Sequence, residues 1–237
     1  MSILKKFRKI FSSKNTYPEN NNNHTQGEFN SADYWEKRYK SGGNSGAGSY
    51  GRLVVFKSRF INQFIQSNNL KTMIEHGCGD GNLASMITVD NYVGIDVSMT
   101  AVELCKSLMS ADDSKKFLHS ENQDRKQQYD LSLSSDVIFH LIEDDIYYNY
   151  MCRLFDSSSK YVIIYSSNHE NNEKSSIHVR HRNFVSWIKK HREDFRLATY
   201  KRNKFPYDAV DSNNTSFSDF YIYERKNLKF NADISFF

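Results

Sequence analysis

At 237 residues, 38% hydrophobic and 14% aromatic, the chain is long enough for one α/β domain with a substantial core and modest additions. A net charge of +4, from 32 Lys and Arg against 28 Asp and Glu, is too mild to mark a nucleic-acid binder by itself. Cys78, Cys105 and Cys152 show neither CxxC nor CxxH spacing, which argues against a disulfide framework or a metal site and fits a reducing cytoplasm, and no apolar run reaches the ~18 residues of a membrane span.

In residues 1–11, Ile3, Leu4, Phe7, Ile10 and Phe11 share one helical face, with Lys5, Lys6, Arg8 and Lys9 elsewhere. That pattern predicts a small basic amphipathic helix, suited to peripheral contact with the inner face of a membrane or to packing on its own domain. Residues 12–30 are rich in Asn and Ser and read as a flexible linker. The folded domain is therefore expected over 31–226, with 227–237 as a tail.

A short aromatic helix is predicted around Asp33–Tyr39, followed by a stretch with five glycines in eleven residues, 41–51. Flanking aromatics make that stretch a candidate ligand lid, the plain alternative being a linker. Leu53, Phe56, Phe60, Ile61 and Phe64 then recur at helical spacing and predict a core-facing helix.

The first strand, ending at Glu75, runs into Gly77-Cys78-Gly79-Asp80-Gly81-Asn82. Glycines at alternate positions let the backbone turn sharply and lie against a ligand. The spacing differs from the dinucleotide fingerprint G-x-G-x-x-G, because the third Gly comes one residue early. A short helix is expected over 83–87, then a second strand ending in Asp96, 19 residues beyond Gly77. An acid at that distance can accept from both ribose hydroxyls, though it can also cap the next helix. The series E-x-G-x-G-x-G with this acid resembles motif I of the class I S-adenosylmethionine (SAM) dependent methyltransferases.

Ser98 or Thr100 can cap the following helix, Thr100-Ala101-Val102-Glu103 matching a capping box, and Phe117-Leu118-His119 is the candidate third strand, with Ser120, Glu121 or Asn122 near an adenine. A fourth strand at Tyr129–Ser135 leads into Asp136-Val137-Ile138-Phe139-His140-Leu141. His140 has the chemistry of a general base near neutral pH, with Asp136 as the acid that orients or replaces it; a packed histidine is the alternative. Residues 160–167 form the clearest buried strand, and His178-Val179-Arg180-His181-Arg182 the densest basic patch, read either as an anion grip or as a solvated loop. Strand-like segments at Phe195–Lys201 and Phe217–Glu224 close the domain.

The resemblance implies a Rossmann-like seven-stranded α/β sheet in the order 3-2-1-4-5-7-6, with helices on both faces. It implies SAM as cofactor, held by Glu75, Gly77, Cys78, Gly79, Gly81, Asp96 and Ser135, with Trp35, Arg38, Tyr39 and Tyr50 in a lid. His140 and Asp136 are the catalytic candidates. His178, Arg180, His181 and Arg182 are the substrate candidates, and no metal is expected. The glycine-rich segments and the HVRHR patch also look like bacterial methyltransferases of surface-polysaccharide synthesis, which implies O-methylation of a sugar or an anionic, phosphate-bearing precursor and no nucleic-acid partner. A methyltransferase acting on protein or nucleic acid, or a SAM- or nucleotide-binding protein without turnover, are the alternatives.

Overall fold

The structure, a computed structural model, describes residues 29–173 and 175–226. The expected helix at 1–11 and the tail at 227–237 lie outside them, as does the linker up to residue 28.

Seven strands form one sheet: β1 (Thr72–His76), β2 (Asn91–Asp96), β3 (Lys115–His119), β4 (Tyr129–Ser135), β5 (Ser158–Ser166), β6 (Phe195–Lys201) and β7 (Asp219–Arg225). Their order is β3-β2-β1-β4-β5-β7-β6, as the resemblance implied. Strands β1 to β5 pair in parallel, while β7 runs antiparallel to β5 and β6.

Among the described residues, five helices flank the sheet: α1 (Ser31–Lys40), α2 (Gly51–Ser67), α3 (Met99–Leu108), α4 (Asp144–Asp156) and α5 (Phe184–His191). The period-2 geometry of β5 explains how one apolar run serves two cores. Its Ile163 and Tyr165 pack with Val54, Ile61 and Phe64 of α2, whereas Val162 and Ile164 pack with Met151 and Leu154 of α4 and Phe184 of α5.

One local expectation changes, and one choice is decided. The helix expected over 83–87 is a single 3-10 turn, Ala84–Met86. Helix α3 is capped by Ser98, whose side chain accepts from Ala101 N, and the Thr100 hydroxyl instead donates to Glu36 Oε1 of α1 at 2.7 Å. Of the two capping candidates the helix uses Ser98, while the Thr100 side chain is held by a tertiary partner. The outcome ties α1 to the sheet's carboxyl edge, where the site lies.

Candidate active site

Strand β1 ends in a loop whose glycines all take positive φ: Gly77 at 78°, Gly79 at 56° and Gly81 at 80°. Only glycine adopts these angles cheaply, and a Cβ on Gly77 would lie 2.5 Å from Val137 Cγ2. The loop is fixed from β2. Gly77 N and Cys78 N both donate to Ile95 O, and Gly79 N donates to Asp96 Oδ2 at 2.9 Å. Asp96 Oδ1 accepts from Ser98 N at 2.9 Å, so the carboxylate is oriented from both sides. Burial raises its pKa, opposed by these backbone N–H groups. A carboxylate offers about four lone-pair sites, so acceptor capacity toward a ligand remains. Next to it, buried Glu75 accepts from the Tyr92 hydroxyl and is pushed up to about 7 by burial.

The glycine-rich stretch 41–51 is folded down onto this loop by Asp80. Its Oδ2 accepts from Ser45 N (2.8 Å) and the Tyr50 hydroxyl (2.7 Å), and Asp80 N donates to Ser45 Oγ (3.0 Å). Asn82 Nδ2 adds a bond to Ser49 O at 2.6 Å. Asp80 was absent from the sequence candidates, since nothing in its local context tells that a segment 35 residues earlier will need it.

Beneath this stretch is a cavity of about 490 Å³, within the range of small-molecule sites. Trp35, Tyr39, Glu75, Gly77, Cys78, Gly79, Asp96, Ser135, Asp136 and His140 line it, as do Ser120 and Glu121 beyond β3. Of the other expected positions, Arg38, Tyr50 and Gly81 do not line the cavity and Ser135 does. Arg38 lies 5.6 Å over the Trp35 ring and its Nε donates to Asn44 O at 2.6 Å, which braces the glycine-rich stretch. Tyr50 holds Asp80, and Gly81 faces Cys105 and Met109. Ser135 does line the cavity, but its Oγ is engaged by Lys57 Nζ at 3.0 Å.

His140 sits on the 3-10 turn Ile138–His140 after β4. Its Nδ1 is 2.8 Å from His178 O; a carbonyl only accepts, so Nδ1 carries the proton and Nε2 keeps the lone pair. Burial lowers its pKa to about 3, which keeps the ring neutral at pH 7. Trp35 packs edge-on against it at 4.8 Å, and the His178 ring is stacked between His140 (5.5 Å) and Tyr34 (4.8 Å).

Asp136 does not orient His140, contrary to expectation. Its Oδ2 pairs with Lys57 Nζ at 2.7 Å and its Oδ1 accepts from Ser218 Oγ at 2.7 Å, so no sequence neighbour but a helix 79 residues away determines its role.

The basic patch also departs from the anion grip expected of it. Arg182 donates to Leu141 O and Ile142 O (3.0 and 2.9 Å) and pairs with Asp144 at 2.6 Å, its guanidinium 4.4 Å over the Tyr147 ring. Arg180 donates to Ile142 O at 2.9 Å and meets Asp144 at 3.0 Å. His181 is buried, bonded through Nδ1 to Ser167 Oγ at 2.6 Å. The carbonyls of Leu141 and Ile142, in the loop before α4, take the same donors that an anion would use. The patch thus clamps the turn that carries His140, and of its residues only His178 touches that side chain.

A family model described as a methyltransferase domain matches residues 67–208, more than half of the chain. The chain belongs to the methyltransferase-domain family. No curated protein matches the sequence significantly. Among solved structures, this methyltransferase is similar to magnesium protoporphyrin IX methyltransferase from Synechocystis PCC 6803 with bound SAM, at 14% identity and TM-score 0.57, covering 85% of this chain and 100% of that one. The methyltransferase domain of bacterial CtHen1-C matches at 20% identity and TM-score 0.56, covering 71% and 96%. The N-methyltransferase NodS from Bradyrhizobium japonicum WM9 matches at 11% identity and TM-score 0.55, covering 73% and 96%. At such identities the likeness is one of fold, that of the class I SAM-dependent methyltransferases.

The residues present fit SAM. The positive-φ glycine loop leaves no Cβ between backbone and cavity, Asp96 stands at the strand end where a ribose would lie, and buried Glu75, pushed up to about 7, would be drawn to its charged form by a cationic cofactor. His76 adds a buried Nε2 with no partner among the described residues. No cluster of potential metal ligands occurs among those residues. No helix among them is long and apolar enough to cross a membrane.

Proposed function

We propose that this methyltransferase carries a methyl group from SAM to a hydroxyl oxygen of a sugar in a precursor of bacterial surface polysaccharide, with His140 as general base. The observation that carries the reading is the His140–His178 bond, which leaves the Nε2 lone pair of a neutral imidazole at the wall of the cavity. Bound there, SAM supplies an electrophilic methyl on a sulfonium. The protein's own task is then to align the acceptor and take its proton. Trp35 and Tyr39 give an apolar wall for the ring of a sugar, and His140 meets its hydroxyl. With Arg180 and Arg182 engaged by Asp144 and by carbonyls, a neutral hydroxyl suits the site better than a phosphate-bearing acceptor.

The test is product analysis with isotopically labelled SAM and a panel of nucleotide sugars and glycans. Label in a sugar methyl ether is expected; label found only in RNA or protein overturns the acceptor class. In the same assay, His140→Ala is expected to lower kcat by about 10²–10⁴-fold, and unaltered turnover at saturating acceptor removes the base.

A further inference from the structure

A second cavity, of about 650 Å³, lies outside the cofactor site between α2 and the end of β6. On α2 its wall is the stripe Arg52, Val55, Arg59 and Gln63, at helical spacing and roughly opposite the face that buries Lys57. The other wall is Lys201, the last residue of β6, with Lys204 and Phe205 beyond it.

Its floor is aromatic. Phe56 and Phe60 pack on buried Phe220 at 5.8 and 4.2 Å, and Phe205 packs edge-on to Phe56 at 6.0 Å. Its rim is cationic, and no Asp or Glu lines it. Arg52 is occupied: it lies 4.4 Å over the Phe205 ring, donates to Asn214 O at 2.6 Å and pairs with Asp211 at 3.1 Å. Arg59, Lys201 and Lys204 have no ion pair among the described residues.

An apolar trough bordered by unneutralised cations on both sides complements a molecule with a hydrocarbon body and an anionic end. Nucleic acid suits it less well, since base stacking needs open ring faces, while Arg52 covers Phe205 and Phe220 backs Phe60. We infer that this groove binds a lipid-linked phosphate, its chain on Phe56 and Phe60 and its phosphate between Arg59 and Lys201. The site is separate from the methyl-transfer cavity and does not rest on the proposed acceptor.

Titration calorimetry of the full chain with dodecyl phosphate, inorganic phosphate and dodecyl maltoside, each below micelle formation, tests it. Dodecyl phosphate is expected to bind, and the other two to bind at least tenfold more weakly. The double variant Arg59→Glu, Lys201→Glu changes two exposed side chains and is expected to weaken dodecyl phosphate at least tenfold while SAM affinity stays unchanged. Equal binding of inorganic phosphate or of the maltoside overturns the inference, as does no binding of dodecyl phosphate. Undiminished binding by the double variant overturns it too, because it places the ligand elsewhere on the chain.

Discussion

Lys57 Nζ lies 2.7 Å from Asp136 Oδ2, with the lysine side chain 1% exposed and Asp136 held at a φ of 57°. The pair links α2 to the end of β4, where Asp136 lines the 490 Å³ cavity and also receives the Ser218 hydroxyl. Removing one partner leaves the other charge uncompensated, which costs more than losing both. Lys57→Met is therefore expected to destabilise the fold by about 3 kcal/mol. Adding Asp136→Asn, whose side chain tolerates the left-handed backbone, should restore part of that. Urea unfolding of the single and double variants checks this, and strictly additive losses contradict it.

Gly77→Ala tests the loop. Positive φ costs a non-glycine residue about 1–2 kcal/mol, and the new methyl would have to displace Val137 from 2.5 Å. SAM affinity by calorimetry is expected to drop at least tenfold. Parent-like affinity would mean that the loop does not form the cofactor cradle.

Asp80→Ala tests the lid. It removes the acceptor of both Ser45 N and the Tyr50 hydroxyl, bonds to a charged group worth about 1.5–3 kcal/mol each. Amides of residues 41–51 should exchange with solvent faster, and SAM should bind about tenfold or more weakly. Unchanged exchange would show that the lid is held by other contacts.

Arg182→Ala separates a clamp from an anion site. With three bonds to Leu141 O and Ile142 O and the Asp144 pair lost, stability should fall by about 2 kcal/mol. Because the clamp supports the turn bearing His140, kcat should fall with acceptor KM unchanged. A raised KM with intact stability would return the residue to substrate binding.

The histidines predict a pH dependence. Burial lowers His76 and His140 to about 3 from an ordinary value of 6.5. The unfolded chain binds these protons first, so their contribution is complete above 6.5 and is lost as pH falls toward 3. Glu75, pushed up to about 7, acts in the opposite sense, its contribution fading as pH rises from 4.5 through 7. The comparison is therefore His140→Gln against the parent: between pH 6.5 and 4, the variant's stability should fall less steeply by close to one proton. Parallel curves would refute the low value. A base of this kind also predicts turnover without an acid limb between pH 6 and 8.

The sequence alone determined the glycine loop, its second-strand acid and the buried strands, because each is a local signal. A glycine at 77, 79 or 81 is required by its own φ, and the apolar run of β5 is required by helices on both sheet faces. It likewise singled out His140. Tertiary structure alone decided which charges are free. Lys57 occupied a helix read only as core and proved to hold Asp136, Asp80 acquired its duty from the lid, and Arg180 and Arg182 turned from an anion toward the carbonyls of the α4 turn. The physical reason is common to all of them: a charged side chain takes the nearest unsatisfied partner in space, and spacing along the chain does not record who that partner is.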